Sequence, residues 1–161
     1  MKTSDILNKT KELFPYISTE LFEEQQGRIK VDNERFLNVL AYLRNSSFVH
    51  LANIFAVDWI EEKEFELNYN LWSYDHNSSI IVKVGIPREK PEVTTVLDLW
   101  EHGQVYEQEI HEFFGIEFAG NPDLSPLFLH NWKEIPPMRK DFDTEEYSRR
   151  AFDVGEREGA K

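Results

Sequence analysis

Glu107 and His111 stand four residues apart, a spacing that sets both side chains on one face of a helix, where they could touch a metal ion. A metal site needs three or four ligands, and the paired Glu-x-x-His pattern of di-iron helices is absent. His50, His76, His102 and His130 show no convergent spacing. Two carboxylates across a cleft could hydrolyse a glycosidic bond. An independent soluble enzyme using carboxylate acid/base chemistry is therefore one reading, although any acidic helix supplies such pairs. The sequence has neither a Gly-rich phosphate loop nor a nucleophile elbow. It has no cysteine, which excludes disulfides, a thiol nucleophile, a Cys-type zinc site and a thiolate-held iron–sulfur cluster. If this chain serves electron transfer, the usual carriers sit elsewhere.

The 161 residues fit one domain with a real core. A 40% hydrophobic and 30% charged composition marks a globular chain. Its net charge of −12 argues against nucleic acid and against direct binding to an anionic membrane surface. Residues 91–132 hold eight carboxylates and no Lys or Arg, so −8 of the −12 lies there. That stretch is either a solvated acidic face or a surface for a basic partner. With no signal-type run and no apolar stretch of spanning length, the sequence predicts a soluble, cytoplasmic chain.

The elements that must position these residues follow from periodicity. Ser4 is a candidate N-cap for a first helix with Ile6, Leu7, Leu13 and Phe14 on one stripe, stopped by Pro15. Residues 16–27 are ambiguous. Gly27–Val31 reads as a short strand, and Asp32 or Asn33 as the cap of a second helix bearing Phe36, Val39, Leu40 and Leu43 and ending near Asn45. His50–Trp59 is rich in β-formers. Phe65, Leu67, Tyr69 and Leu71 alternate with polar residues; after a turn at Asp75–Ser78, so do Ile80, Val82, Val84 and Ile86. This predicts an antiparallel hairpin. Thr95 and Asp98 have capping-box spacing for a further helix, which Gly103 interrupts or restarts. Tyr106, Ile110, Phe113 and Phe114 form its stripe, and Gly115 suits a left-handed helix stop. Helices and hairpin strands segregate, so the predicted fold class is α+β: an antiparallel sheet with helices packed on it over residues 1–115, followed by an extended C-terminal arm over 116–161.

The arm is apolar yet broken by Pro122, Pro126, Pro136 and Pro137, so it forms neither a long helix nor a central strand. Phe118, Leu124, Leu127, Phe128, Leu129 and Trp132 need a surface to lie on. The pattern leaves open whether that surface is the chain's own domain or a partner.

Tyr106–Ile116, then Phe118, Gly120-Asn-Pro-Asp-Leu124, Trp132 and Arg139-Lys-Asp-Phe142, resemble the 30-kDa subunit family of respiratory complex I. The upstream order is similar too: an aspartate-bearing strand (Val57-Asp58-Trp59), a hairpin and a short capped helix. Three departures stand out. Gln108 replaces the Arg of the family's Glu-Arg-Glu, Asn121 replaces the His of Gly-His-Pro, and Ser125-Pro-Leu-Phe-Leu129 replaces a basic, aliphatic stretch. These look more like the equivalent subunit of membrane-bound energy-converting [NiFe] hydrogenases and their archaeal relatives.

The resemblance implies a non-catalytic assembly subunit of a membrane-bound complex-I-like oxidoreductase, of the hydrogenase type or a quinone- or sulfur-reducing relative. It implies no cofactor on this chain, with iron–sulfur clusters and, in the hydrogenase form, a NiFe centre on other subunits. The implied partners are a large subunit that holds the active site and a small iron–sulfur subunit, in a peripheral arm at the cytoplasmic membrane face. Nucleic acid is not among them, and membrane contact is indirect. The residues expected at the partner interface are Glu107, Glu109, Glu112 and Phe113 on the helix, then Asn121, Pro122, Leu124, Leu127, Phe128, Trp132, Arg139, Lys140, Asp141 and Phe142 on the arm. Arg139 can fork onto a partner carboxylate.

Overall fold

The computed structural model describes residues 2–152. The first helix, α1 (Thr3–Leu13), begins one residue before Ser4; the Lys2 N–H is held by the Asp5 carboxylate at 3.3 Å. Its core stripe is Thr3, Ile6, Leu7 and Thr10, while Leu13 is exposed. Two threonines can be buried there partly because the Thr10 hydroxyl donates back to the Ile6 carbonyl at 2.7 Å. The ambiguous stretch contains β1 (Ser18–Glu23), which pairs antiparallel with β2 (Gln26–Asp32).

Helix α2 (Phe36–Asn45) buries Phe36, Val39, Leu40 and Leu43, the stripe its periodicity predicts. Neither predicted cap is used. Asp32 ends β2, and the Asn33 amide donates to the Glu92 carbonyl at 2.9 Å. The long meander follows: β3 (His50–Trp59), β4 (Glu64–Ser73) and β5 (Ser78–Pro87). The inward-facing rows of β4 and β5 are fully buried, and Phe36 stacks on Tyr69 at 5.5 Å. Burying each Leu, Val, Ile or Phe contributes about 1.5–3 kcal/mol, so these two rows and α2 dominate the core.

The five strands run β1-β2-β5-β4-β3. Pairing is antiparallel except at β2–β5, which is parallel. The fold class is α+β with a mostly antiparallel sheet. A parallel pair needs a long crossover, and here it is α2 with β3 and β4. Strands β6 (Glu92–Thr94) and β7 (Glu117–Ala119) form a separate parallel pair.

The helix expected at Thr95–Asp98 does not form. A 3₁₀ turn over Glu101–Gly103 leads into α3 (Gln104–Phe114), so Gly103 restarts the helix. The Thr95 hydroxyl is taken by the Glu107 side chain and cannot cap a helix of its own. Gly115 ends α3 at φ 74°, in the left-handed region, with its N–H on the His111 carbonyl. A Cβ at Gly115 would sit 3.1 Å from Pro136 Cγ. Gly115→Val therefore combines backbone strain with a clash against a rigid ring, and we expect a loss of about 1–3 kcal/mol. An unchanged urea midpoint would show that the position tolerates a side chain.

Ile116 and Phe118 lie in the same core as the sheet and helices. Among the described residues, no helix is long and apolar enough to cross a membrane.

Candidate functional site

Three carboxylates of the domain buckle the arm back onto it. The first is Glu107. Although acidic, it is fully buried: its carboxylate accepts the Val96 N–H at 2.8 Å, the Thr95 hydroxyl at 2.7 Å and the Asn121 amide at 2.7 Å. Burial pushes this carboxyl above its ordinary pKa, against the three donors that favour its charged form. Asn121 in turn accepts the Asp123 N–H at 2.9 Å, setting the turn that starts the arm.

The second point is Glu112. Its carboxylate accepts the backbone N–H groups of Leu127, Phe128 and Leu129, in the manner of an anion held in a nest of amides. Phe128 stacks on Phe113 at 6.1 Å yet stays 66% exposed, so the arm adds apolar surface as it crosses α3.

The third point is the strongest. Asp58 projects from β3 with no exposed side-chain surface. It accepts Arg88 Nε at 2.7 Å, Arg88 Nη2 at 2.8 Å and the Lys140 N–H at 2.8 Å. Arg88 also donates to Asp141 at 3.0 Å, and Arg139 forks onto both Asp141 oxygens at 3.0 Å. Both guanidinium groups lie near the Phe65 ring, at 5.3 and 5.6 Å from its centroid. Burial works against the charge on Asp58, but the Arg88 fork and the Lys140 N–H outweigh it and hold the pKa below the ordinary range. Its partner Arg88 is raised, first by the bond to Asp58.

Beyond this network, Trp132, Phe142 and Tyr147 pack together with centroids 4.9–5.6 Å apart. Helix α4 (Thr144–Phe152) follows, its first turn bound by the Asp143 carboxylate through the Glu145 and Glu146 N–H groups.

The residues expected at a partner interface thus divide. Glu107 is buried inside the domain, its carboxylate taken by Val96, Thr95 and Asn121 of the same chain. Glu112 spends its carboxylate on the arm's backbone. The Arg139 fork closes on Asp141 of the same chain. Asn121 is half-buried and bonded to Glu107, and Leu124, Leu127, Trp132 and Phe142 are half-buried. Glu109, Pro122, Phe128, Lys140 and Asp141 are exposed in part or fully. Arg88 was not among the expected residues. Its signal was Asp58 itself, a lone carboxylate in an apolar strand, which needs a cationic partner once buried.

Bonding to Arg139, above all, lowers Asp141 to about 2, with Arg88 adding to the effect. Its unfolded value lies near 3.9. A folded pKa below the unfolded one gives stability that is present above about pH 4 and is lost as pH falls through about 2. We therefore expect the strap to loosen in that window, read as a change in Trp132 emission against a Trp132→Phe control. In Asp141→Asn the change should shrink; an identical titration in that variant would remove Asp141 from the account.

Among the described residues, no three His, Asp or Glu side chains converge as a metal site. Fold and strap together define the class: an α+β domain whose C-terminal segment is fastened back across its own sheet edge. The model of the respiratory-chain NADH dehydrogenase 30 Kd subunit family matches residues 29–148, and this chain belongs to that family. A subunit of the F(420)H(2) dehydrogenase of Methanosarcina mazei is 32% identical over 151 residues, covering 89% of this chain and 93% of that protein. A chain of the membrane-bound sulfane sulfur reductase, an archaeal respiratory membrane complex, superposes with a TM-score of 0.89 at 29% identity, covering 98% of this chain and 95% of that one. A trypsin-resistant fragment of Nqo5 matches with a TM-score of 0.65 at 27% identity, covering 75% of this chain and 98% of the fragment. The chain is a subunit of the complex-I-like oxidoreductase type.

Proposed function

We propose that this chain is a structural subunit, without a cofactor of its own, that clamps the large and small redox subunits of a membrane-bound complex. The complex is of the energy-converting hydrogenase kind or its sulfur-reducing relative. The subunit sits peripherally at the cytoplasmic face, and iron–sulfur clusters and any NiFe centre belong to its partners. The observation that carries this reading is the arm. A strap fastened by Asp58, Glu107 and Glu112 still presents exposed Phe128, Ile135 and Met138, which is apolar surface held in place for another protein. Gln108, Asn121 and the Ser125–Leu129 stretch support the hydrogenase and sulfur-reductase branch over the quinone-reducing one. The acid/base-enzyme alternative gains nothing from Glu107, whose raised carboxyl is sealed from any substrate.

The test is co-purification in mild detergent and identification of the neighbours. A large subunit with four Cys nickel ligands would define the hydrogenase form, and a large subunit lacking them the relative. In the same assay we expect a chain ending at Ala119 to keep its secondary structure, since Ile116 and Phe118 remain, and to lose the large subunit. Arg139→Glu should weaken assembly without unfolding the domain, because it breaks the fork onto Asp141 and the approach to the Phe65 ring while the Asp58–Arg88 pair stays in place. Normal assembly by both variants would move the partner surface off the arm.

A further inference from the structure

Strand β3 is an outer edge of the five-stranded sheet, and its two halves are treated differently. From its entry through the first half, side chains of Trp100, the 3₁₀ turn and α3 cover the backbone. Trp100 Nε1 donates to the Val49 carbonyl at 2.8 Å, His102 Nε2 lies 3.0 Å from the Leu51 carbonyl, and the Tyr106 hydroxyl donates to the Ala52 carbonyl at 2.9 Å. At the far end the strap crosses, with the Lys140 N–H on Asp58. Between them, residues 53–57 have backbone hydrogen bonds only toward β4 among the described residues. Five residues of strand span about 16 Å.

Beside this uncovered edge lies a groove of about 390 Å³ between β3 and α3, walled by Ile54, Phe55, Ile110 and Phe113, with Met138 at the strap end and Glu109 on the rim. Phe55 is 41% and Met138 57% exposed. Folded proteins usually blunt such an edge with charge, proline or a covering element. Here the covering is present on both sides and stops short in the middle, where the wall is apolar.

We infer that residues 53–57 receive an extended segment of a partner subunit as a sixth strand, and that this segment alternates apolar residues with Lys or Arg. The inference rests on the reading of the chain as an assembly subunit and specifies one of its partner surfaces. The open backbone requires an extended occupant, since only a strand can pair with successive N–H and C=O groups along an edge. The groove takes its apolar side chains. The basic residues follow from the exposed Glu109 on the groove's rim and from the chain's net charge of −12. A second copy of this chain is a poor occupant, because pairing two β3 edges would bring two bodies of charge −12 together.

The test compares the full chain alone with the complex purified in mild detergent, by residue-resolved hydrogen exchange. Amides within 53–57 that point away from β4 should exchange at least about tenfold more slowly in the complex. Glu109→Lys, at an exposed site, should capture the partner about three- to tenfold less well, and Glu109→Gln should fall between. If the complex forms and residues 120–142 gain protection while 53–57 do not, the edge inference is wrong and the assembly reading stands. If no partner co-purifies, the assembly reading fails and takes the inference with it. Protection of 53–57 that grows with the concentration of the chain alone would assign the edge to a second copy. An unchanged capture by Glu109→Lys would overturn the basic character of the segment.

Discussion

Arg88→Leu is expected to lower the unfolding free energy by about 3–5 kcal/mol, the cost of leaving a buried carboxylate without its cation. Asp58 has no exposed side-chain surface, and of its three donated bonds only the one from Lys140 would survive. Asp141 would lose one of its two arginines at the same time. The cause is the abandoned charge more than the lost bonds, so a second change should relieve it. Adding Asp58→Asn removes that charge and keeps an acceptor for the Lys140 N–H. We expect the double variant to be clearly more stable than Arg88→Leu alone, a coupling a double-mutant cycle measures directly. A double variant as unstable as the single one would show that packing of the Arg88 guanidinium on Phe65 governs the site. Trp132 emission reports separately whether the strap has left the sheet.

The second large effect belongs to Glu107. Glu107→Ala would orphan the Val96 N–H, the Thr95 hydroxyl and the Asn121 amide, at about 1–3 kcal/mol for each buried group that finds no water. We expect a total loss of at least about 3 kcal/mol in chemical denaturation. Glu107→Gln should cost less but should not be silent. Its oxygen can serve either the Val96 N–H or the Thr95 and Asn121 pair. Thr95 can turn its hydroxyl to accept, whereas the Asn121 oxygen is already engaged by the Asp123 N–H. A Glu107→Ala variant within about 0.5 kcal/mol of the parent, the ordinary effect of a surface change, would place this carboxylate outside the structural core.

Both residues show where the sequence is legible and where it is not. Alternation located β4 and β5, because one row of each faces the core and period-two burial leaves a mark. Strand β1 carries no such mark: Ser18–Glu23 is an edge strand without a buried residue, so it has no face to reveal. The parallel β2–β5 pairing escapes any local pattern, because it joins segments separated by a helix and two strands. Gly115 was readable since a left-handed stop after an apolar stripe is a local event. Thr95 misled because its apparent cap is claimed by Glu107, twelve residues on. Glu107 and Glu112 read as surface charge for the same reason: composition reports that a carboxylate exists, not whether three donors have closed around it. Helix α4 had a local signal in Asp143 ahead of Glu145 and Glu146, with Arg149 and Arg150 in its last turn.

The position of β2 also has a consequence for the time at which this protein can fold as it is made. One edge of β2 is satisfied by β1, its neighbour in the chain, almost at once. The other must wait for β5, which is complete only at Pro87, 55 residues after Asp32 (87 − 32). At synthesis rates of about 5–20 residues per second, Ile29 and Val31 wait roughly 3–11 s beside an unpaired strand edge. The meander β3–β4–β5 assembles from adjacent hairpins and then docks as a block, so joining two preformed halves is the slow, non-local event. Translation speed between codons 32 and 87 therefore sets how long a nascent chain displays that edge, and with it the fraction lost to aggregation before the sheet closes.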